Sequence, residues 1–138
     1  MKSKQVLSVE QMKHLQELRL DTSDASMCYC CFYGNIKEEW ELEIYEDVIN
    51  QKRDSTFWEI VPTYTFQDII ELLPKEINIV TDTYYLTIST YDCDVWSIYY
   101  SMSDEFDYYK EFKSDSLIDA AYEMLCWCIE NGYIKTKE

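Results

Sequence analysis

Tyr84-Tyr85-Leu86-Thr87-Ile88-Ser89-Thr90-Tyr91, then Asp92-Cys93-Asp94, then Val95-Trp96-Ser97-Ile98-Tyr99-Tyr100 is the stretch that decides the fold. Both arms alternate side chains with a period of two and are rich in aromatic and β-branched residues, which suit a pleated, half-buried surface. The short Asp-Cys-Asp link makes them an antiparallel hairpin. Leu86, Ile88, Trp96 and Ile98 are expected on its core face.

Working outward, three segments carry helix start signals. Ser8 and Gln11 form a capping box, with Leu7 and Met12 as its hydrophobic staple, and Met12, Leu15 and Leu18 make one apolar stripe. That helix is expected to run from about Val9 to Leu20. A second opens at Thr65 with Asp68, buries Phe66, Ile69, Ile70 and Leu73, and stops at Pro74, which cannot continue the ladder. A third opens at Ser116 with Asp119, or one turn earlier at Ser114, and runs to about Glu130. Its expected inner face is Leu117, Ala121, Met124, Leu125, Cys128 and Ile129. Asn131-Gly132-Tyr133 reads as its stop, with Gly132 in the left-handed conformation and Tyr133 folding back.

Further strands are expected at Met27 to Tyr33, ending at a Gly34-Asn35 turn, and at Phe57 to Val61 and Tyr108 to Phe112. Trp40, Leu42 and Ile44 alternate with Glu39, Glu41 and Glu43, which predicts a strand with one solvated, acidic face, although the segment is also rich in helix formers. Residues 34–56 therefore stay open between a hairpin and a segment containing a helix. The order helix, strands, helix, strands, helix with hairpin connections predicts an α+β fold: a single-domain, two-layer sandwich over residues 1–138, a mostly antiparallel sheet with about three helices packed on one face.

The chain has 138 residues, 47% of them hydrophobic, enough for one core. It carries 27 Asp and Glu against 12 Lys and Arg, a net charge of −15. Such a surface repels nucleic acid and anionic membranes and attracts basic proteins or cations. Only Arg19 and Arg53 supply guanidinium groups, which further disfavours nucleic-acid binding. No stretch approaches the ~20 apolar residues of a membrane span, and no apolar run follows the basic start, so a cytoplasmic location with six reduced cysteines is expected.

Catalytic patterns are sparse. The single histidine, His14, sits beside Met12 and Leu15, and nothing near it in sequence orients it as a triad member would need. Cys28, Cys30 and Cys31, and Cys126 and Cys128, lack the paired spacing of structural zinc sites. Cys28 and Cys30 share a strand face, whereas Cys126 and Cys128 diverge by roughly 200° on a helix. All are expected to act as small buried hydrophobes. Asp92-Cys93-Asp94 and Asp104-Glu105-Phe106-Asp107 lack the ligand spacing of a calcium loop. Two glycines cannot build a phosphate-binding loop, and no G-x-S-x-G elbow is present. No metal, cofactor or catalytic residue is assigned.

The acids from Glu38 to Asp47 can be one solvated strand face that keeps a sheet edge soluble. They can also be a negative stripe: strand geometry spaces Glu39, Glu41 and Glu43 about 6.6 Å apart, a scale comparable to nucleic-acid phosphates. Glu39, Glu41, Glu43, Glu46 and Asp47 are the candidate partner contacts. Tyr85, Tyr91 and Tyr99 are candidates for a dimer surface.

The stretches Leu7 to Met12 with Asp21 to Met27, Pro62 to Ile69 with Leu72 to Ile77, and Leu117 to Leu125 resemble small uncharacterised acidic proteins of gut Bacteroides genomes, common in phage or mobile-element contexts. The resemblance spans most of the chain outside roughly residues 34–56 and implies no activity, only a context in which small accessory proteins often act on host proteins. A non-enzymatic acidic protein that binds a basic, nucleic-acid-handling host protein is thus the leading expectation. The alternatives are a homodimeric structural protein with charge serving solubility, and a small ligand-binding domain or enzyme, which a pocket joining His14 to a cysteine and an acid would favour.

Overall fold

The structure, a computed structural model, describes residues 4–34, 39–92, 94–102 and 108–137, with backbone alone for Tyr91 and Asp92. In chain order the elements are α1 (Val9–Glu17), β1 (Met27–Phe32), β2 (Glu41–Ile44), α2 (Tyr45–Gln51), β3 (Trp58–Thr63), α3 (Phe66–Leu72), β4 (Glu76–Ile79), β5 (Asp82–Asp92), β6 (Val95–Ser101), β7 (Tyr108–Ser114) and α4 (Leu117–Glu130). The fold is α+β. Its strands form two antiparallel sheets rather than one, a three-stranded sheet in the order β2-β1-β3 and a four-stranded sheet in the order β4-β5-β6-β7.

The hairpin forms as β5 and β6, with Ile88 opposite Ile98 and Leu86 opposite Tyr100. Its core face is covered unevenly. α4 lies over β6 and β7, so Ile98 and Tyr100 are fully buried, while Ile88 and Trp96 share the face but stay 38% and 39% exposed beyond the helix. The main core joins both sheets to α1, α3 and α4 through Leu7, Met12, Leu15, Val61, Ile69, Ile98, Met124 and Leu125. Of the expected inner face of α4, Leu117 is only half-buried; Ile118 and Ala120 take up the core side instead.

The start signals work through local hydrogen bonds. Ser8 and Gln11 close one reciprocal capping box, and Thr65 and Asp68 close another, each worth about 1 kcal/mol. The Asp68 carboxylate also accepts from the backbone N–H and hydroxyl of Ser26, tying the start of α3 to the entry of β1. Leu73 turns to extended backbone before Pro74 and ends α3.

Two helices end in the same way. Gly132 takes φ 78°; its N–H reaches the Ile129 carbonyl, and the Tyr133 N–H reaches the Cys128 carbonyl at 2.8 Å. α1 ends at Glu17, short of the expected Leu20, because Arg19 takes φ 70°. The Arg19 N–H bonds to the Gln16 carbonyl and the Leu20 N–H to that of Leu15, which satisfies the last turn and buries Leu20. A side chain in that conformation costs about 1–2 kcal/mol, so arginine gives no warning of the stop.

One element has no counterpart in the expected set, and another decides between the two readings left open for residues 34–56, which contain the helix α2 after β2. β4 is a four-residue strand between Pro74 and the turn into β5. α2 follows β2 without a loop, and Ile44 at its N-cap makes no side-chain cap bond. Among the described residues no helix is long and apolar enough to cross a membrane.

Candidate functional site

The acidic run does not form one strand face. Glu39 precedes β2, Glu41 and Glu43 lie on β2, and Glu46 and Asp47 occupy the first turn of α2; Glu38 lies outside the described residues. Acids in a first helical turn complement the helix dipole, so Glu46 and Asp47 also help start a helix that lacks a side-chain cap.

The expected faces of β2 hold only in part: Trp40 packs against the main core and Glu41 is exposed, but Leu42 and Ile44 are exposed too and Glu43 is partly buried. Cross-strand partners share a face, and Glu43 pairs with Cys28 and Glu41 with Cys30. Cys28 and Cys30 are buried beneath Val48 of α2, in a small second core with Tyr45, Trp58 and Ile60. Glu43 is drawn toward that layer, while Leu42 and Ile44 turn to the other side and remain 43% and 52% exposed. They stay exposed because β2 is the terminal strand of its sheet and α1 covers β3 at the far side.

Glu43 is not a free contact. Arg53 donates to both of its carboxylate oxygens, at 2.7 Å for one of them, and its guanidinium lies 4.7 Å from the centre of the Trp58 ring. Arg53 therefore reaches from β2 to β3 across β1 and pins the three-stranded sheet. Its hydrogen bonds hold the Glu43 carboxyl below the usual carboxylate range. The Cys28 and Cys30 sulfurs lie 3.8 Å apart. Burial, with the neighbouring Cys28 and Glu43, pushes the Cys30 thiol up to about 12, and burial also raises Cys28. Both are protonated core residues at neutral pH, without the thiolate character of a reactive cysteine. Among the described residues no group of three or more His, Cys, Asp or Glu is placed to hold a metal ion. Cys93 and the cluster at Asp104, Glu105 and Asp107 lie outside them.

Of the tyrosines expected at a dimer surface, Tyr85 and Tyr99 lie on the same face of the hairpin, Tyr85 opposite Ser101 and Tyr99 opposite Thr87. Tyr85 is 44% exposed, but Tyr99 is buried against Tyr108 with ring centres 4.4 Å apart, and the Tyr91 side chain lies outside the description. Tyr99 is already covered within the chain and offers a second copy little surface.

A second region was missed by sequence reasoning. His14 on α1, Phe112 on β7 and a stripe of α4 surround a cleft of about 290 Å³. The stripe consists of Tyr122, Glu123, Cys126, Trp127 and Glu130. At about 100° per residue these five fall within one side of the helix, next to the buried stripe that faces the sheet.

The cleft joins a histidine, a cysteine and two acids without making a catalytic pair. The Cys126 thiol hydrogen-bonds Tyr122, and burial, with Glu130 and Glu123 nearby, pushes it up to about 11. The His14 ring meets Tyr122 edge-on at 6.4 Å, and its Nδ1 lies 3.7 Å from a Glu17 carboxylate oxygen. The base-to-thiol hydrogen bond that activates a nucleophile is not formed between them. What the cleft provides is an aromatic wall with acidic edges. A larger cavity of about 440 Å³ lies by the end of α1, lined by Gln16, Arg19, Leu20, Thr22 and Lys137. Comparison with protein-family models, with curated proteins and with solved structures finds no match.

Proposed function

We propose that the chain is a non-enzymatic, cytoplasmic interaction protein that binds a basic protein along the β2 edge. One observation carries this: exposed Leu42 and Ile44 lie on the terminal strand of a sheet, beside the exposed acids Glu39, Glu41, Glu46 and Asp47. An open strand edge offers backbone hydrogen-bonding groups to an added strand. Apolar side chains supply affinity, and the surrounding acids steer a basic partner and reject acidic ones. The net charge of −15 extends that steering over the whole molecule. The resemblance to mobile-element proteins of gut Bacteroides favours a host protein that handles nucleic acid, since such proteins present basic surfaces.

Charge reversal tests the surface. The E41K/E46K/D47K variant changes only exposed side chains; losing the two first-turn acids of α2 is expected to cost about 1–2 kcal/mol, so the variant should fold with a slightly lowered melting temperature. A partner captured from a Bacteroides lysate, then purified, is expected to bind this variant at least about tenfold more weakly in calorimetry, and to lose affinity for the wild type as salt rises. Undiminished affinity in the variant would remove the β2–α2 acids from the interface.

A further inference from the structure

We infer that the cleft between α1, β7 and α4 is a binding site for an alkylammonium group, separate from the β2 edge and independent of it. Three aromatic side chains, Phe112, Tyr122 and Trp127, line the cleft, and Glu123 and Glu130 stand at its edge. Aromatic faces attract cations through the ring quadrupole, and an ammonium between several rings and a carboxylate gains from both. Among the described residues neither carboxylate is neutralised by an ion pair and no lysine or arginine lines the cleft, although the Lys110 ammonium stands over the lining Phe112 ring. Burial raises the pKa values of Tyr122 and Cys126, the Cys126 thiol adds to the rise at Tyr122, and Glu123 and Glu130 raise both further.

The wall is also held in place before any ligand arrives. Trp127 packs against Tyr133 with ring centres 5.4 Å apart and edge-on to Tyr109 at 5.7 Å, and the hydroxyls of those two tyrosines are 3.2 Å apart. A ring fixed by its neighbours loses little freedom on binding. The chain already shows the chemistry: the Lys110 ammonium lies 4.9 Å from the centre of the Phe112 ring. The cleft, of about 290 Å³ and open to solvent, has room for a small amine or the end of a lysine side chain.

The test follows the indole N–H of Trp127 by NMR, assigned by its loss in W127F, during titration with n-butylammonium, with a blocked Gly-Lys-Gly peptide and with n-butanol as the neutral control. A saturable shift with a Kd on the order of 1 mM is expected for the ammonium probes. It should weaken by about tenfold in E123Q/E130Q, whose changes lie on exposed residues and leave the fold intact. Tighter binding of n-butylammonium would assign the site to free amines, and tighter binding of the peptide to lysine side chains of proteins. An equal shift with n-butanol, no saturable shift, or unchanged affinity in E123Q/E130Q would overturn the assignment.

Discussion

Replacing Ile98 by alanine is expected to destabilise the protein by about 3 kcal/mol, while the same change at Ile88 should cost less than about 1 kcal/mol. The two residues have the same chemistry, face the same side of the hairpin and stand opposite each other in register. They differ in what covers them. Ile98 is fully buried beneath α4, and truncating it leaves a cavity in the main core; Ile88 keeps 38% of its surface in water. For a domain whose total stability is about 5–15 kcal/mol, the Ile98 loss is a large fraction. Urea titration of both variants measures the difference. Equal losses would mean that α4 does not define the core face as described.

The second large effect is expected at Arg53. R53M keeps an apolar stem but removes the guanidinium, leaving the Glu43 carboxylate without its two hydrogen bonds and Trp58 without its cation. Arg53 and Glu43 expose 16% and 28% of their side chains, so water screens the pair only in part, and a loss of about 2 kcal/mol at pH 7 is expected. The pH dependence follows from the direction of the Glu43 shift. Its folded pKa is depressed, so its contribution is present above the ordinary carboxylate value and is lost as pH falls through the folded value. The gap between wild type and R53M should therefore be widest near neutral pH and close on acidification. A gap that stayed constant down to low pH would mean that the guanidinium acts through packing on Trp58 and not through Glu43.

Much of the fold was legible because its signals are local. Ser8, Thr65 and Ser116 announce helices within four residues of themselves, and Gly132 announces a stop through its own backbone freedom. The hairpin was legible because alternation and a short link are local too. The failures lie where partners are distant. α2 has an isoleucine at its N-cap and continues directly from a strand, so neither a cap nor a loop marks its start. The faces of β2 could not be assigned by alternation, because they are set by Arg53, ten residues away, and by buried cysteines on β1. Apolar Leu42 and Ile44 looked like core residues, and only the edge position of their strand leaves them outside. The cleft brings His14 and Phe112 to α4 from about 100 residues and 10 residues away, a meeting that no spacing rule encodes.

The most direct test of the β2 edge as the partner site is hydrogen–deuterium exchange on the protein alone and with its captured basic partner. Added pairing along the edge predicts slowed exchange at the amides of residues 41–44, with the four-stranded sheet unchanged. Protection confined to other segments, with residues 41–44 exchanging as in the free protein, would contradict it.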